Sequence, residues 1–260
     1  GGVFMTASEI RQEARKSLTG KWGKAALATL VFFVIDYVIT IVLNLIPAVG
    51  AIASAVISVP LSFGFIVVVM AKLKRGEEIS YIEFFKNGFD KFAKVWQVTL
   101  WIFVKMLAPL AVAIVGIFIM LFGFTMSATS YALSANTTTG SLFTIIGVIV
   151  YIAGIIWAIP KSYLYKLALY IINDNPDMFA KDAVEKSAEI MNGHRWEFFW
   201  LQLTFIGWAF LACLTFGIGI LWLIPYIQVS TVAFYDNLIG NNDFEIKNDE
   251  PIEENPIQEN

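Results

Sequence analysis

Apolar segments of about twenty residues or more alternate with polar segments along most of the chain. They lie near residues 25–45, 49–71, 96–124, 142–172, 197–216 and 218–239. An α-helix needs about twenty apolar residues to cross the hydrocarbon core of a bilayer, so the pattern predicts six transmembrane helices. The third and fourth segments exceed that length, which indicates a tilt, a kink or an interfacial extension.

Polar segments before the odd-numbered spans have the periodicity of amphipathic helices. At the N-terminus, Thr6 and Glu9 have the spacing of a capping box. Apolar residues then recur on one helix face, at Ile10, Ala14 and Leu18. Before the fifth span, a second stripe follows Asp177 and consists of Ala180, Val184, Ala188 and Met191. Residues 80–96 are a looser copy, and we expect all three helices to lie along the inner leaflet.

The three pairs of spans share two further features. The first span of each pair begins beside a basic residue and a tryptophan. These are Lys21 and Trp22, Lys94 and Trp96, and Arg195 and Trp196. Such side chains favour the headgroup layer, so we interpret them as interfacial lipid contacts. The second span of each pair, called the return span below, contains one proline: Pro60, Pro160 or Pro225.

The prolines are predicted to kink the return helices, because each removes a backbone hydrogen bond. A role in shaping the hairpins and a role as a gate both fit the sequence. The predicted fold is therefore an all-α integral membrane protein. Its six transmembrane helices form three helical hairpins, each preceded by an amphipathic interfacial helix.

The composition also favours a membrane protein. The chain is 58% hydrophobic and 15% charged, whereas soluble domains average about 45–50% apolar and about 25% charged residues. One cysteine and one histidine exclude an internal disulfide and a multi-histidine metal site. We expect no cofactor.

Basic residues outside the predicted spans fall on one side of the membrane. They occur in the N-terminal segment and in the connections after the second and fourth spans. The connections at 46–48, 125–141 and Gly217 carry no charged residue. The positive-inside rule then places both termini in the cytoplasm.

The ends of the chain differ in character from the predicted membrane domain at 5–240. Residues 1–4 precede a methionine typical of a native start, so we interpret them as a cloning remnant. Residues 241–260 contain seven acidic residues and one lysine, which predicts a disordered cytoplasmic tail. A solubilising tail and a partner-binding tail both fit this composition.

Four ionisable residues lie within the predicted spans: Asp36, Lys105, Lys161 and Lys166. Inserting a charged side chain at the centre of a membrane helix costs roughly 2.5–3.5 kcal/mol, so these four are candidate ligand or pairing residues. In one interpretation Asp36 and Lys105 form a charge pair, and in another Lys105 and Lys166 extend to the interface. In a third, the three lysines line a cavity for an anion, with Asp36 as the balancing acid.

Three segments carry a family resemblance: "ARKSLTGKW" (14–22), "AVEKSAEIMNGHRWEFFWLQLTFIGW" (183–208) and "GIGILWLIPYIQVSTVAFYDNL" (217–238). They resemble a bacterial multi-pass membrane family called domain of unknown function 975. The resemblance implies a protein of the bacterial cytoplasmic membrane. It implies no activity and no catalytic residues.

Function is the least determined property. Serine and threonine lack a base at a recognisable spacing, so we expect no enzymatic activity. The basic residues lie beside the membrane and favour anionic lipid over nucleic acid. We expect an accessory or scaffold protein that engages anionic lipids, and a protein partner through its amphipathic helices or acidic tail. The alternative is a transporter or channel for a small, anionic solute or lipid headgroup.

Overall fold

The computed structural model describes residues 4–46, 49–80 and 83–249, and within them every regular element is helical. The helices are α1 (Ala7–Leu18), α2 (Trp22–Asn44), α3 (Gly50–Ser62), a π-helix (Phe63–Val69), α4 (Met70–Arg75), α5 (Glu83–Asp90), α6 (Phe92–Ala132), α7 (Thr138–Leu164), α8 (Ala168–Asp174), α9 (Ala180–Ile190), α10 (Arg195–Leu203), α11 (Ile206–Leu214) and α12 (Ile220–Asp249). This confirms the predicted all-α fold for the part of the chain that the structure describes.

Five helical segments are long and apolar enough to cross a membrane. They are Trp22–Asn44, Gly50–Arg75, Phe92–Ala132, Thr138–Asp174 and Arg195–Leu214. The protein is therefore a membrane protein, and these segments correspond to the first five predicted spans. The sixth predicted span lies in α12, which is not among the five and contains the strongly polar residues Gln228, Asp236 and Asn237.

Helix α12 also extends further than the sequence predicts. It continues to Asp249, past residue 241, where we expect the disordered tail to begin. Adding residues to an existing helix avoids the cost of nucleation, which favours this continuation. Residues 250–260 lie outside the described residues, so disorder there stays a prediction.

The chain forms two compact units, although the sequence predicts one membrane domain. The first contains the described residues up to Phe92 and those from Trp196 onward, and the second is Ala93–Arg195. In the first unit every residue from Val229 to Tyr235 is at most 3% exposed. Because these seven consecutive residues point in all directions around a helix, α12 is surrounded by protein in this region.

The N-terminal segment runs antiparallel to α12. The ring of Phe4 lies 5.4 Å from that of Phe234, and the Met5 N–H donates to Asn237 Oδ1 over 3.2 Å. Further along, the Tyr226 hydroxyl lies 3.5 Å from the carbonyl oxygen of Arg11. Phe4, which the sequence assigns to a remnant, therefore packs against the core.

The fifth span and α12 form an antiparallel hairpin in the same unit. The Phe198 ring lies 5.1 Å from that of Phe234, and the Phe205 ring lies 5.0 Å from that of Tyr226. The turn between them contains Phe216 and Gly217 in the left-handed region. Glycine suits that conformation because it has no Cβ.

The apolar stripes of the amphipathic helices are buried in protein. Ile10, Ala14 and Leu18 are at most 1% exposed, and α1 packs against α4 and α12. The buried face of α9 packs against α7 and α8 in the second unit. In the second predicted stripe Ala180, Val184 and Met191 are buried and Ala188 is half-buried, so these faces lie against protein. That the helices lie along the inner leaflet stays a prediction.

Glycine contacts join α6 to α7 in the second unit. A Cβ built at Gly147 would lie 2.3 Å from the backbone nitrogen of Met120, and one at Gly123 would lie 2.3 Å from that of Thr144. Gly116 and Gly140 make similarly close approaches to the facing helix. Small residues that let backbones approach in this way are a common basis of helix association in membranes.

We predict that Gly147→Ala weakens this hairpin. The added methyl group overlaps the backbone of α6, so we expect the free energy of unfolding in detergent to fall by about 1–3 kcal/mol. Gly23→Ala is the matched control, because nothing lies within 4 Å of a Cβ built at Gly23. Thermal unfolding of both variants tests this, and equal stability of the two would contradict the described packing.

Candidate functional site

Asp36 lies near the middle of α2, on the side where α2 packs against α3. Its carboxylate accepts a hydrogen bond of 2.6 Å from the Ser58 hydroxyl, which links α2 to α3. Together with Phe33, Tyr37 and Thr40, Asp36 lines a shallow groove of about 490 Å³ on the surface of α2. The partner of Asp36 in the structure is thus a serine hydroxyl.

Lys105 lies beside a charged helix. Its Nζ is 3.7 Å from Glu185 Oε1 on α9, and Lys181 Nζ lies 3.8 Å from the same oxygen. At about 60 Å, α6 is roughly twice as long as the hydrocarbon core is thick. Its first turns can therefore lie outside the core, and the charge partner of Lys105 within the second unit is Glu185.

The other two predicted lysines occupy different surroundings in the second unit. Lys161 Nζ lies 5.5 Å from the ring centre of Trp157, within the range of a cation–π interaction. Lys166 is exposed at the interruption between α7 and α8. The structure therefore assigns Lys105 and Lys161 separate partners.

All three predicted prolines lie inside helices: Pro60 in α3, Pro160 in α7 and Pro225 in α12. Gly88 of α5 packs on the first, since a Cβ built there would lie 2.3 Å from the Pro60 carbonyl oxygen. The π-helix begins shortly after Pro60, and α7 ends shortly after Pro160. A fourth helix proline, Pro109 in α6, was not singled out from the sequence.

Ser187 bridges the interruption that follows Pro160. This fully buried side chain on α9 donates to the Leu164 carbonyl over 2.7 Å and accepts from the Leu167 N–H over 3.2 Å. One hydroxyl therefore satisfies two backbone groups at the break between α7 and α8. The sequence alone gave no signal for this role, because a serine in an amphipathic helix has no recognisable partner.

We predict that Ser187→Ala destabilises the second unit. The substitution leaves one buried donor and one buried acceptor unsatisfied, at about 1–3 kcal/mol each. Ser141→Ala is the control, since the Ser141 hydroxyl is exposed and bonds a carbonyl of its own helix. Hydrogen exchange at Leu167 is the direct measurement, and unchanged protection in the Ser187 variant would contradict the bridging role.

Basic and tryptophan side chains mark the starts of three spans, as predicted. Lys21 precedes α2 and Trp22 begins it, Lys94 and Trp96 lie in the first turns of α6, and Arg195 begins α10 next to Trp196. The Trp196 side chain is 69% exposed. That these six residues contact lipid headgroups stays a prediction.

An ion cluster that the sequence did not reveal joins three helices of the first unit. Lys74 of α4 contacts the carboxylates of Glu13 on α1 and Asp236 on α12, the latter over 3.9 Å. Arg75 lies 3.1 Å from Asp236. The Lys74 side chain is only 11% exposed, so this cluster is better shielded from solvent than an ordinary surface pair.

A second groove, of about 360 Å³, lies in the first unit between α2, α11 and α12. Its lining includes Trp22, Trp208, Trp222, Tyr226 and, at one end, Arg15 of α1. Arg15 is exposed, so its guanidinium can bind a ligand. The sequence identified Trp22 in this set but not the others, because the lining comes from two segments that lie far apart in the chain, at 15–22 and 208–226.

Comparison with known proteins assigns a family and no function. Residues 5–242 match the model of a family described as "Protein of unknown function (DUF975)". No curated protein and no solved structure matches the chain.

Proposed function

Because the chain belongs to the DUF975 family of proteins of unknown function, we propose a role for it from its own geometry. It is a non-enzymatic multi-pass protein of the bacterial cytoplasmic membrane that engages anionic lipids and a protein partner. The lipid function is carried by one observation, the basic and aromatic pair at the start of three spans. Bases meet lipid phosphates while tryptophan rings occupy the interface.

Two contacts favour this proposal over the alternative of a transporter or channel. The transport alternative requires a cavity lined by Lys105, Lys161 and Lys166. In the described residues, Lys105 contacts Glu185 and Lys161 stacks on Trp157. These separate partners do not favour a shared anion cavity.

The proposed topology has six crossings and both termini in the cytoplasm. Two contacts support it: Phe198 with Phe234, and Phe205 with Tyr226. With these contacts α12 lies antiparallel to the fifth span. The end of α12 then lies on the side of the membrane where the fifth span begins. The bond from the Met5 N–H to Asn237 then places the N-terminal segment at the same end of α12.

Cysteine labelling tests this topology. In a Cys213→Ser background, we expect Phe216→Cys to react with a membrane-impermeant maleimide added to intact spheroplasts, since Phe216 is 99% exposed at the predicted outer turn. Gln12→Cys, on the exposed face of α1, should react only in inverted vesicles. Reaction of both cysteines from the same side would contradict six crossings.

Lipid engagement is tested by thermal unfolding of the full chain in nonionic detergent. We expect phosphatidylglycerol to stabilise the protein saturably, by about 2.7 kcal/mol at one hundred times its Kd. Phosphatidylcholine is the control, because it has similar chains and no net charge. An equal response to both lipids, or to neither, would exclude preferential binding of anionic lipid.

A further inference from the structure

The second groove of the first unit is charged at one end and apolar along the rest of its length. Arg15 supplies the cationic end, next to Trp22, the first residue of the first span. Trp208, Leu211 and Trp222 line the remainder, and each is about half exposed. Such a groove matches a ligand that has one anionic group and one apolar chain.

A second arginine strengthens the positive end. Arg11 lies one turn before Arg15 on α1, and its carbonyl is 3.5 Å from the Tyr226 hydroxyl in the groove. The buried Nε of Arg11 has no hydrogen-bond partner among the described residues. The charges of Arg15 and Arg11 both act on the Tyr226 hydroxyl, and guanidinium groups bind phosphate well because they supply several donors.

Among the described residues that line the groove, none at the opposite end offers a free polar side chain to a second charge. Thr215 is the polar residue there, and its hydroxyl donates to the Ala212 carbonyl over 2.7 Å and accepts from the Gly219 N–H over 2.8 Å. Both hydrogen-bonding functions of Thr215 are therefore used within the turn. A soluble dianion gains little from this end, whereas an acyl chain buries apolar surface along it.

The dimensions fit part of one acyl chain. Gly219, just before α12, and Tyr226 lie about 10 Å apart, at 1.5 Å per residue. The volume of about 360 Å³ lies near the lower end of the range for ligand sites, about 300–1,000 Å³. The walls belong to α2 and α11, which are parts of two membrane-crossing segments, so a bilayer lipid can enter from the side.

We infer that this groove binds an anionic phospholipid, with its phosphate at Arg15 and Arg11 and an acyl chain along Trp208 and Trp222. The inference rests on the proposed function and adds a defined site to it. If lipid bound only at the starts of the spans, its affinity would depend on the net positive charge there. If lipid binds in the groove, its affinity depends on the position of the Arg15 side chain.

Two neighbouring residues separate these mechanisms. Arg15→Gln and Lys16→Gln each remove one positive charge from an exposed position of α1, but only Arg15 lines the groove. We expect Arg15→Gln to weaken the binding of phosphatidylglycerol about tenfold or more. Lys16→Gln should change it less than about twofold, because screening limits long-range effects. The measurement is native mass spectrometry of the full chain titrated with phosphatidylglycerol.

The apolar part of the site has its own pair of variants. Trp222→Ala removes a wall of the groove, whereas Trp200→Ala removes a similarly exposed ring that does not line it. We expect selective loss of binding only in the first. Glycerol phosphate, which has the headgroup chemistry without chains, should compete poorly, and strong competition by it would overturn the assignment of a lipid in favour of a soluble phosphate ester.

The outcomes distinguish the site from the broader function. Equal losses in Arg15→Gln and Lys16→Gln would overturn the groove site while leaving anionic lipid engagement intact. Absence of saturable phosphatidylglycerol binding in the unmodified protein would overturn both. Thermal unfolding without lipid shows whether each variant is folded, and Arg15→Lys, which retains the charge, should recover part of the lost affinity.

Discussion

A proline inside a membrane helix leaves a backbone carbonyl without its usual partner, and a neighbouring element has to cover the resulting irregularity. This protein meets the constraint with helices from outside the return segments. Helix α5 packs at Pro60 through Gly88, and α9 bridges the break after Pro160 through Ser187. Helix α1, which has no hairpin before it, packs on α12 near Pro225 instead. The three proline-containing segments therefore each pack against one helix that lies outside them.

Burial of the amphipathic stripes changes which surfaces are left for lipid and for a partner. Since α1 and α9 place their apolar residues against other helices, they cannot bind the bilayer by inserting those faces. What remains exposed on α1 is its basic side, including Arg15 and Lys16. In the proposed lipid function, recognition by α1 is therefore electrostatic, and selectivity would come from where each cation lies relative to apolar surface.

Length and hydropathy are sufficient to locate five spans, because few other structures need twenty consecutive apolar residues. They do not distinguish α12 from a core helix, since Val229 to Tyr235 are surrounded by protein and a span packed among other helices contains the same residue types. Charges inside spans are also visible in the sequence, but their partners are not. Asp36 meets Ser58 and Lys105 meets Glu185, and both partners are set by tertiary packing. The sequence alone does not predict the groove either, because its lining residues come from two segments that lie far apart in the chain.

Helix α1 connects the stability of the first unit to the proposed lipid site. Glu13 binds Lys74, which also approaches Asp236, so this cluster fixes α1 between α4 and α12. Arg15 follows two residues later and points its charge to the groove on another side of the same short helix. Because a helix moves as a rigid element, any shift in the contacts of Glu13 also moves Arg15 relative to Trp22 and Tyr226. A lipid bound at the proposed site and the ion pairs of Lys74 would therefore act on the same element, and each would stabilise the position of α1 that the other requires.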